Sequence, residues 1–168
     1  MSTEIESTVE VRRVTITSVR AFDDVVATVY AGLGRVPNFG QTLRAWYSAR
    51  DRDELDALVE PTAGSSGLLE FVSLDLGAVL MIRDPDRGGR LLRIIAGNPV
   101  TMSKMTATVR DEGSYAPVTI LIAERPDGVT VSYDRVASAI APYAGNEASA
   151  VAAALDDAVL TLLRNAAG

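Results

Sequence analysis

The sequence has no cysteine, no histidine and a single lysine, Lys104, among its 168 residues. Without cysteine the chain forms no disulfide, has no thiolate nucleophile and offers no thiolate to a metal ion. Without histidine it lacks the commonest metal ligand and the side chain that titrates nearest neutral pH. Any chemistry therefore has to use carboxylates, tyrosines, arginines, hydroxyls or Lys104, and we expect neither a metal site nor a cofactor.

Long apolar runs and an excess of positive charge are also missing. The net charge of −6 argues against nucleic acid as a partner, because nucleic-acid binding draws its affinity from clustered basic residues. No apolar run approaches the roughly 20 residues that span a bilayer, so we expect no membrane partner. The polar and acidic start at Met1–Glu6 has none of the features of a signal peptide, and we expect a cytoplasmic protein.

What is present indicates one globular domain with helices and strands. The hydrophobic fraction of 48% is enough for a core, and a chain of this length fits one domain. We expect a polar tail over residues 1–8 and a single domain over 9–168. β-branched residues predict a strand over 9–18, and an apolar stripe at helical spacing predicts a helix over 22–33. Residues 35–67 combine turn signals with short apolar stripes and predict a helical insert.

The second half of the chain adds more strands and a long helix. Strands are predicted over 68–75, 77–82, 90–95, 117–124 and 129–133. A short helix is predicted after Pro99, and apolar residues at helical spacing predict a long helix from residue 146 to the end. This order of elements is typical of an α+β domain. We therefore expect an antiparallel sheet of about six strands, covered on one face by helices that include the long C-terminal one.

A family resemblance rests on three triplets, Gly97-Asn98-Pro99, Tyr115-Ala116-Pro117 and Tyr133-Asp134-Arg135, and on the stretch 66–78. With these features the chain resembles the domain of unknown function 302 family over nearly its whole length. The resemblance implies a TATA-binding-protein-like α+β fold, in which helices grip a strongly curved antiparallel sheet. It also implies that two copies of the chain form a homodimer and that the protein is bacterial. It implies no activity, because the biochemical role of the family is largely unassigned.

Several positions depart from the family pattern. Leu76 and Thr108 stand where members commonly have histidine, so a family site built on those imidazoles cannot operate here. Gly97 and Ala116 stand where the cysteine-bearing members have their thiols, which excludes thiol or metal chemistry at those positions. Glu70 places a carboxylate in a strand that is usually apolar in the family.

Glu70 is the main catalytic candidate. Because side chains alternate along a strand, it shares one face with Leu68, Val72 and Leu74. A carboxylate that faces an apolar cavity loses hydration and can act as a general acid or base near neutral pH. The alternatives are a glutamate that points at solvent and one that pairs with an arginine.

Lys104 and Tyr115 are the other two catalytic candidates. Lys104 lies between Met102 and Met105, and a lysine with apolar neighbours can serve as a base or as a donor to a developing oxyanion. The phenol of Tyr115 can donate to a carbonyl oxygen. The alternatives are a solvated surface lysine and a core tyrosine whose hydroxyl is already satisfied.

Substrate binding has six further candidates. They are Trp46, Phe71, Asn98, Met102, Met105 and Tyr133. Asn98 is either a polar anchor for a ligand or the first residue of a structural turn before Pro99. Trp46 either closes over a pocket or holds the insert against the core.

Two functions follow from these residues. The first is an enzyme with an apolar pocket and metal-free acid–base chemistry, which cyclises, dehydrates or adds to a polyketide-like or β-dicarbonyl metabolite. The alternative is a non-catalytic homodimer that binds or carries a small hydrophobic or amphipathic ligand. The position of Glu70 distinguishes them, since the enzyme needs this carboxylate in the pocket within reach of Tyr115.

Overall fold

Five strands form one curved antiparallel sheet. A computed structural model describes residues 2–86, 88–143 and 145–168 of the chain. The strands are β1 (Arg13–Ser18), β2 (Leu69–Asp75), β3 (Leu91–Gly97), β4 (Val118–Arg125) and β5 (Gly128–Asp134). Their order across the sheet is β1-β5-β4-β3-β2. β4 is therefore the central strand, and β1 and β2 are the two edges.

Helices connect the strands, and two of them, at Leu76–Arg83 and Val136–Ile140, were not predicted from the sequence. The helices are α1 (Phe22–Gly32), α2 (Phe39–Tyr47), α3 (Arg52–Val59), α4 (Leu76–Arg83), α5 (Pro99–Met105), α6 (Val136–Ile140) and α7 (Asn146–Ala167). Two short 3-10 turns lie at Glu60–Thr62 and Arg110–Tyr115. No helix among the described residues is both long enough and apolar enough to cross a membrane. The expected cytoplasmic location stays a prediction.

The main core lies between one face of the sheet and helices α1 and α7. Along β4, Val118, Ile120 and Ile122 are buried, whereas Thr119 and Leu121 on the other face are partly exposed. We call the buried side chains of this layer, drawn from β3, β4, β5, α1 and α7, the main core. Burying each large apolar side chain contributes about 1.5–3 kcal/mol to stability. Helices thus cover one face, which confirms the predicted α+β architecture.

The predicted strand over 77–82 is wrong, because this segment forms α4. The carboxylate of Asp75 accepts a hydrogen bond of 2.9 Å from the backbone N–H of Ala78 and so caps a helix directly after β2. A short apolar run satisfies the pattern of a strand and of a helix equally well. The sheet consequently has five strands rather than six, and β2 pairs with β3.

The first strand also begins later than predicted. β1 starts at Arg13 rather than at residue 9, because its partner β5 ends at Asp134, opposite Arg13. The backbone of Arg12 instead bonds to the segment that follows β5. Its N–H donates to the hydroxyl of Ser138, and its carbonyl accepts from the N–H of Arg135, both at 2.9 Å.

Residues 35–67 contain α2 and α3, which begin at ordinary helix caps. The side chain of Asn38 accepts from the N–H of Gln41 at 3.0 Å, and that of Asp51 accepts from the N–H of Glu54 at 2.9 Å. A second buried group forms where this insert meets the sheet. We call it the insert cluster, and it consists of Trp46, Val59 and Leu69 with Phe39 and Phe71 packed against them.

Candidate functional site

A cavity of about 300 Å³ lies between the insert, α5 and the adjoining ends of β3 and β4. Most of its wall is apolar, and the apolar residues that line it include Phe39, Leu43, Leu55, Met105, Val118 and Leu155. None of the described residues that line it carries a carboxylate, an ammonium or a guanidinium group. The cavity therefore favours an uncharged, apolar occupant.

Five of the six residues predicted to bind substrate line this cavity. They are Trp46, Phe71, Asn98, Met102 and Met105. The loop after β3 and helix α5 position the last three of them. The insert and β2 supply the two aromatic side chains. Sequence reasoning thus found much of the wall, although binding by these residues stays a prediction.

Three aromatic rings form one side of the cavity. Phe39 stacks on Phe71 with a centroid distance of 4.6 Å and an interplanar angle of 19°. Trp46 meets the ring of Phe39 edge-on at 5.9 Å and 78°. Gly97 allows this arrangement, because a Cβ atom there would lie only 3.0 Å from Cζ of Phe71. A larger residue at this strand position would require the Phe71 ring to move by a few tenths of an ångström.

Asn98 serves the helix that follows it. Its side-chain oxygen accepts from the N–H groups of Val100 and Thr101, at 2.9 and 3.3 Å. Its side-chain nitrogen donates to the carbonyl of Gly67 at 3.0 Å. Asn98 therefore caps α5 and ties it to the start of β2, which is the structural alternative given above, while it also forms part of the cavity wall.

Glu70 does not line this cavity. Its carboxylate accepts from Nε of Arg35 at 2.6 Å and from the hydroxyl of Ser73 at 2.5 Å. Tyr30 in turn donates to the Ser73 hydroxyl at 2.8 Å. The Glu70 side chain is 12% exposed and belongs to a polar network between α1 and β2. Of the alternatives above, the structure shows the ion pair with arginine, and the catalytic role of Glu70 stays a prediction.

Lys104 and Tyr115 lie outside the cavity wall as well. Lys104 is exposed in a neighbouring groove, together with Asp56 and Glu147. Tyr115 stacks on Tyr143 with a centroid distance of 6.4 Å, and interaction with that phenol, followed by burial, raises the pKa of Tyr115. Among the described residues no hydrogen bond or ion pair joins Glu70, Lys104 and Tyr115 to one another. The three predicted catalytic residues are not assembled into one site.

Tyr133, the remaining predicted binding residue, is a core side chain. It is 1% exposed and donates a 2.7 Å hydrogen bond to the carboxylate of Asp156. The same carboxylate accepts from the N–H groups of Val136 and Ala137, at 2.8 and 3.3 Å. Asp156 was not predicted from the sequence, although a signal exists. It lies in the apolar stripe of α7, four residues after Ala152 and four before Leu160.

Two buried polar groups have no hydrogen-bond partner among the described residues. They are the indole Nε1 of Trp46 and both carboxylate oxygens of Glu112. Trp46 is part of the cavity wall, whereas Glu112 lies in the 3-10 turn at Arg110–Tyr115 and is fully buried. Native proteins leave few such groups unpaired, so each of them requires an explanation.

The comparisons with known proteins concern the fold. No family model and no curated protein matches this sequence. Among solved structures, the chain is similar to that of the uncharacterized conserved protein DUF302 from Bacillus stearothermophilus. The TM-score is 0.63 at 8% sequence identity, and the match covers 92% of this chain and 97% of that chain. Similarity of fold at this identity assigns no activity. The expected resemblance is confirmed at the level of architecture, and the chain has a DUF302-like fold.

Proposed function

We propose that this protein binds a small apolar ligand in the cavity between the insert, α5 and the ends of β3 and β4. The observation that supports the proposal most strongly is the composition of the wall. It combines a stacked aromatic group with aliphatic side chains, and the described lining has no charged side chain. Ligand sites are typically concave and mostly apolar, with a few polar groups that fix orientation. The volume of about 300 Å³ is at the lower end of such sites.

Binding without turnover is favoured over acid–base catalysis. A general acid or base has to reach the substrate within hydrogen-bond distance or through one water. Among the described lining residues, Tyr47 alone has an ionisable side chain, and this residue is 79% exposed. Cyclisation, dehydration or conjugate addition of a polyketide-like or β-dicarbonyl compound remains the alternative function, because such compounds also fit an apolar wall.

A thermal-shift series tests the binding proposal. The probes are 2-acetylnaphthalene, 2-isopropenylnaphthalene and a neutral β-dicarbonyl compound, benzoylacetone. A ligand that binds only the folded state raises the melting temperature in a concentration-dependent way. Thr101→Phe places a bulky side chain in the wall and is expected to remove the shift. Thr17→Phe makes the same replacement on exposed β1 and should leave the shift intact.

The result can go against the proposal in two ways. If none of the probes shifts the melting temperature of the unsubstituted protein, the cavity is not a site for small apolar compounds. If the shift survives Thr101→Phe and Thr17→Phe equally, the probes bind elsewhere. Mass spectrometry of the incubated probes addresses the alternative function, since a product that differs from the probe by water or by isomerisation indicates turnover.

We also infer that two copies associate through α4 and the outer face of β2. Four consecutive side chains of α4 are exposed although they are apolar, and so are two on β2, the strand that directly precedes this helix. The exposed residues are Val72, Leu74, Val79, Leu80, Met81 and Ile82, with Ile82 at 83%. A two-fold contact between such patches buries on the order of 1,000 Å² in total, which is near the lower limit for a specific interface.

Sedimentation velocity tests this homodimer. We expect a dimer for the unsubstituted chain and a monomer for Ile82→Asp, because the substitution buries a charge at the interface. Val19→Asp is the matched control, since Val19 is 95% exposed on a different surface. A monomer at every concentration for the unsubstituted chain, or a dimer that tolerates Ile82→Asp, would contradict the inference.

A further inference from the structure

Trp46, a residue of the cavity wall, has a hydrogen-bond donor that is buried and unpaired among the described residues. Trp46 is 5% exposed and forms part of the wall of the cavity and of the adjoining groove that holds Lys104. Its indole Nε1 is shielded from solvent and has no acceptor among the described residues. An indole N–H can only donate, so no change of proton position relieves this deficit. A buried donor that water cannot reach is unfavourable until an acceptor is brought to it.

Two other polar side chains of the wall, those of Asn98 and Ser103, are already engaged. The side-chain oxygen of Asn98 accepts from two backbone N–H groups of α5, and its nitrogen donates to Gly67. The hydroxyl of Ser103 donates to the carbonyl of Val100 at 2.8 Å. Within the part of the chain that the structure describes, Trp46 is therefore the buried side chain of this wall that has an unused hydrogen-bond donor.

We propose that the ligand of this cavity is an apolar carbonyl compound, and that the Trp46 ring shifts as the ligand enters so that the ligand oxygen accepts the hydrogen bond of Nε1. This inference rests on the proposed function, and it adds the chemical class of the ligand. A hydrocarbon of the same shape gains the same apolar burial but leaves the indole donor unpaired. A site that contains a buried donor discriminates against a ligand that lacks the matching acceptor. Trp46 is then the specificity-determining residue of the site.

A neutral carbonyl suits the wall better than a carboxylate. Burial of an anion is costly unless a positive charge compensates it. The described lining residues include no lysine or arginine, and Lys104 lies in the adjoining groove rather than in the cavity wall. A ketone, aldehyde or ester oxygen needs only one donor. The indole N–H supplies that donor without any charge.

A pair of probes that differ in one atom group tests this inference. 2-Acetylnaphthalene has a C=O group where 2-isopropenylnaphthalene has a C=CH₂ group, so their shapes agree and only one is an acceptor. The chain has one tryptophan, and its spectrum therefore contains a single indole N–H signal in a ¹H–¹⁵N correlation experiment. We expect the ketone to bind about 3- to 10-fold more tightly and to move this signal downfield, as a new hydrogen bond requires.

Trp46→Phe provides a second measurement. The substitution keeps an aromatic ring and removes the N–H group, so the ketone should lose its 3- to 10-fold advantage while the two probes bind alike. The hydrocarbon controls for any change of packing. Equal affinity of both probes for the unsubstituted protein, with an unmoved indole signal, overturns the inference but leaves the proposed function intact. Failure of both probes to bind overturns the proposed function itself. Tighter binding of 2-naphthoate than of the ketone overturns the choice of a neutral acceptor.

Discussion

Asp156 shows how a single buried carboxylate connects three elements of the fold. From α7 it accepts the hydroxyl of Tyr133 on β5 and two N–H groups at the start of α6. Three donors satisfy a carboxylate that is 1% exposed. Burial, and then the hydrogen bond to Asp156, raises the pKa of Tyr133 well above its ordinary value of 10.0. This pair therefore stabilises the fold only while the phenol keeps its proton.

The pH dependence of stability follows from the raised pKa of Tyr133. Above about pH 10 the unfolded chain releases this proton while the folded chain retains it, so the free energy of unfolding decreases as pH rises. Tyr133→Phe should remove that part of the decrease and cost about 1–2 kcal/mol at neutral pH through the lost hydrogen bond. Urea unfolding between about pH 8 and pH 11 measures both effects. Tyr47→Phe, at an exposed position, should keep the decrease of the unsubstituted protein, and identical pH profiles for all three chains would contradict the assignment.

Glu112 is the opposite case, because its buried carboxylate has no partner among the described residues. A buried polar group without a hydrogen bond costs about 1–3 kcal/mol. Glu112→Met should therefore raise the free energy of unfolding by about 1–2 kcal/mol, measured by urea unfolding. Glu112→Gln keeps unpaired polar atoms and should gain less. A loss of stability in Glu112→Met would contradict this expectation and would mean that the carboxylate makes a stabilising interaction in the folded protein.

These two carboxylates also mark the limit of prediction at the residue scale. Asp156 interrupts an apolar stripe with a 3.6-residue period, so its burial is detectable in the sequence. Glu112 lies in a 3-10 turn that has no such periodicity, and nothing in the sequence places it inside. Glu70 was expected to face a cavity because it interrupts an apolar strand, but Arg35 and Ser73 were available to pair with it. The alternation of side chains along a strand predicts the face on which a residue lies, but it does not predict the residue with which its side chain pairs.

At the scale of elements, the insert is held where its two ends meet. The N–H of Gly34 donates to the carbonyl of Leu68 at 2.8 Å, and the N–H of Gly64 donates to the same carbonyl at 3.0 Å. The backbone is so closely packed here that neither Gly34 nor Gly64 has space for a Cβ atom. A Cβ at Gly64 would lie 2.3–2.4 Å from backbone atoms of Gly32, Leu33 and Gly34. The aromatic side of the cavity depends on this closure.

Gly64→Ala should consequently displace the insert. Backbone atoms cannot move aside as a flexible side chain can, so we expect a loss of about 2–3 kcal/mol, the upper part of the usual range for overpacking. Binding of 2-acetylnaphthalene should weaken in parallel, because Phe39 and Trp46 lie on the displaced segment. Gly89→Ala is the matched control, since no atom of the described residues lies within 4 Å of a Cβ there. Equal melting temperatures for the two variants would show that the ends of the insert are not tightly packed.

The elements themselves were largely predictable, and the exception is informative. α1 and α7 have long apolar stripes, which fix both their type and the face that they bury. The segment 77–82 is short and almost wholly apolar, so its periodicity could not separate a strand from a helix. The deciding interaction is the Asp75 cap, which begins a helix directly after β2. A long amphipathic pattern is sufficient to predict the type of secondary structure, whereas the structure of a short apolar run depends on its cap and its neighbours.

At the scale of the whole molecule, the fold has two apolar groups of unequal size. The main core draws on three central strands and two long helices, whereas the buried part of the insert cluster comprises Trp46, Val59 and Leu69. The cavity lies beside the smaller group and reaches the larger one through Leu155 and Val118. Segments that bury little apolar surface open with a smaller free energy than the core. We therefore expect the cavity to lie in the less stable part of the molecule, where a bound ligand most increases the free energy of local opening.

Unfolding should accordingly begin at the insert. Trp46, as the single tryptophan, reports on the insert cluster, while far-UV circular dichroism reports mainly on the sheet and α7. We expect the emission of Trp46 to shift to the red at lower urea concentration than the loss of dichroism. Val59→Ala should lower the first midpoint alone, because Val59 packs in the insert cluster, and Leu160→Ala in the main core should lower both. If the two signals change together in all three chains, the insert and the main core form one cooperative unit. Saturation with 2-acetylnaphthalene should bring the two midpoints closer, because a ligand that contacts both groups stabilises the insert only while the main core beneath it remains folded.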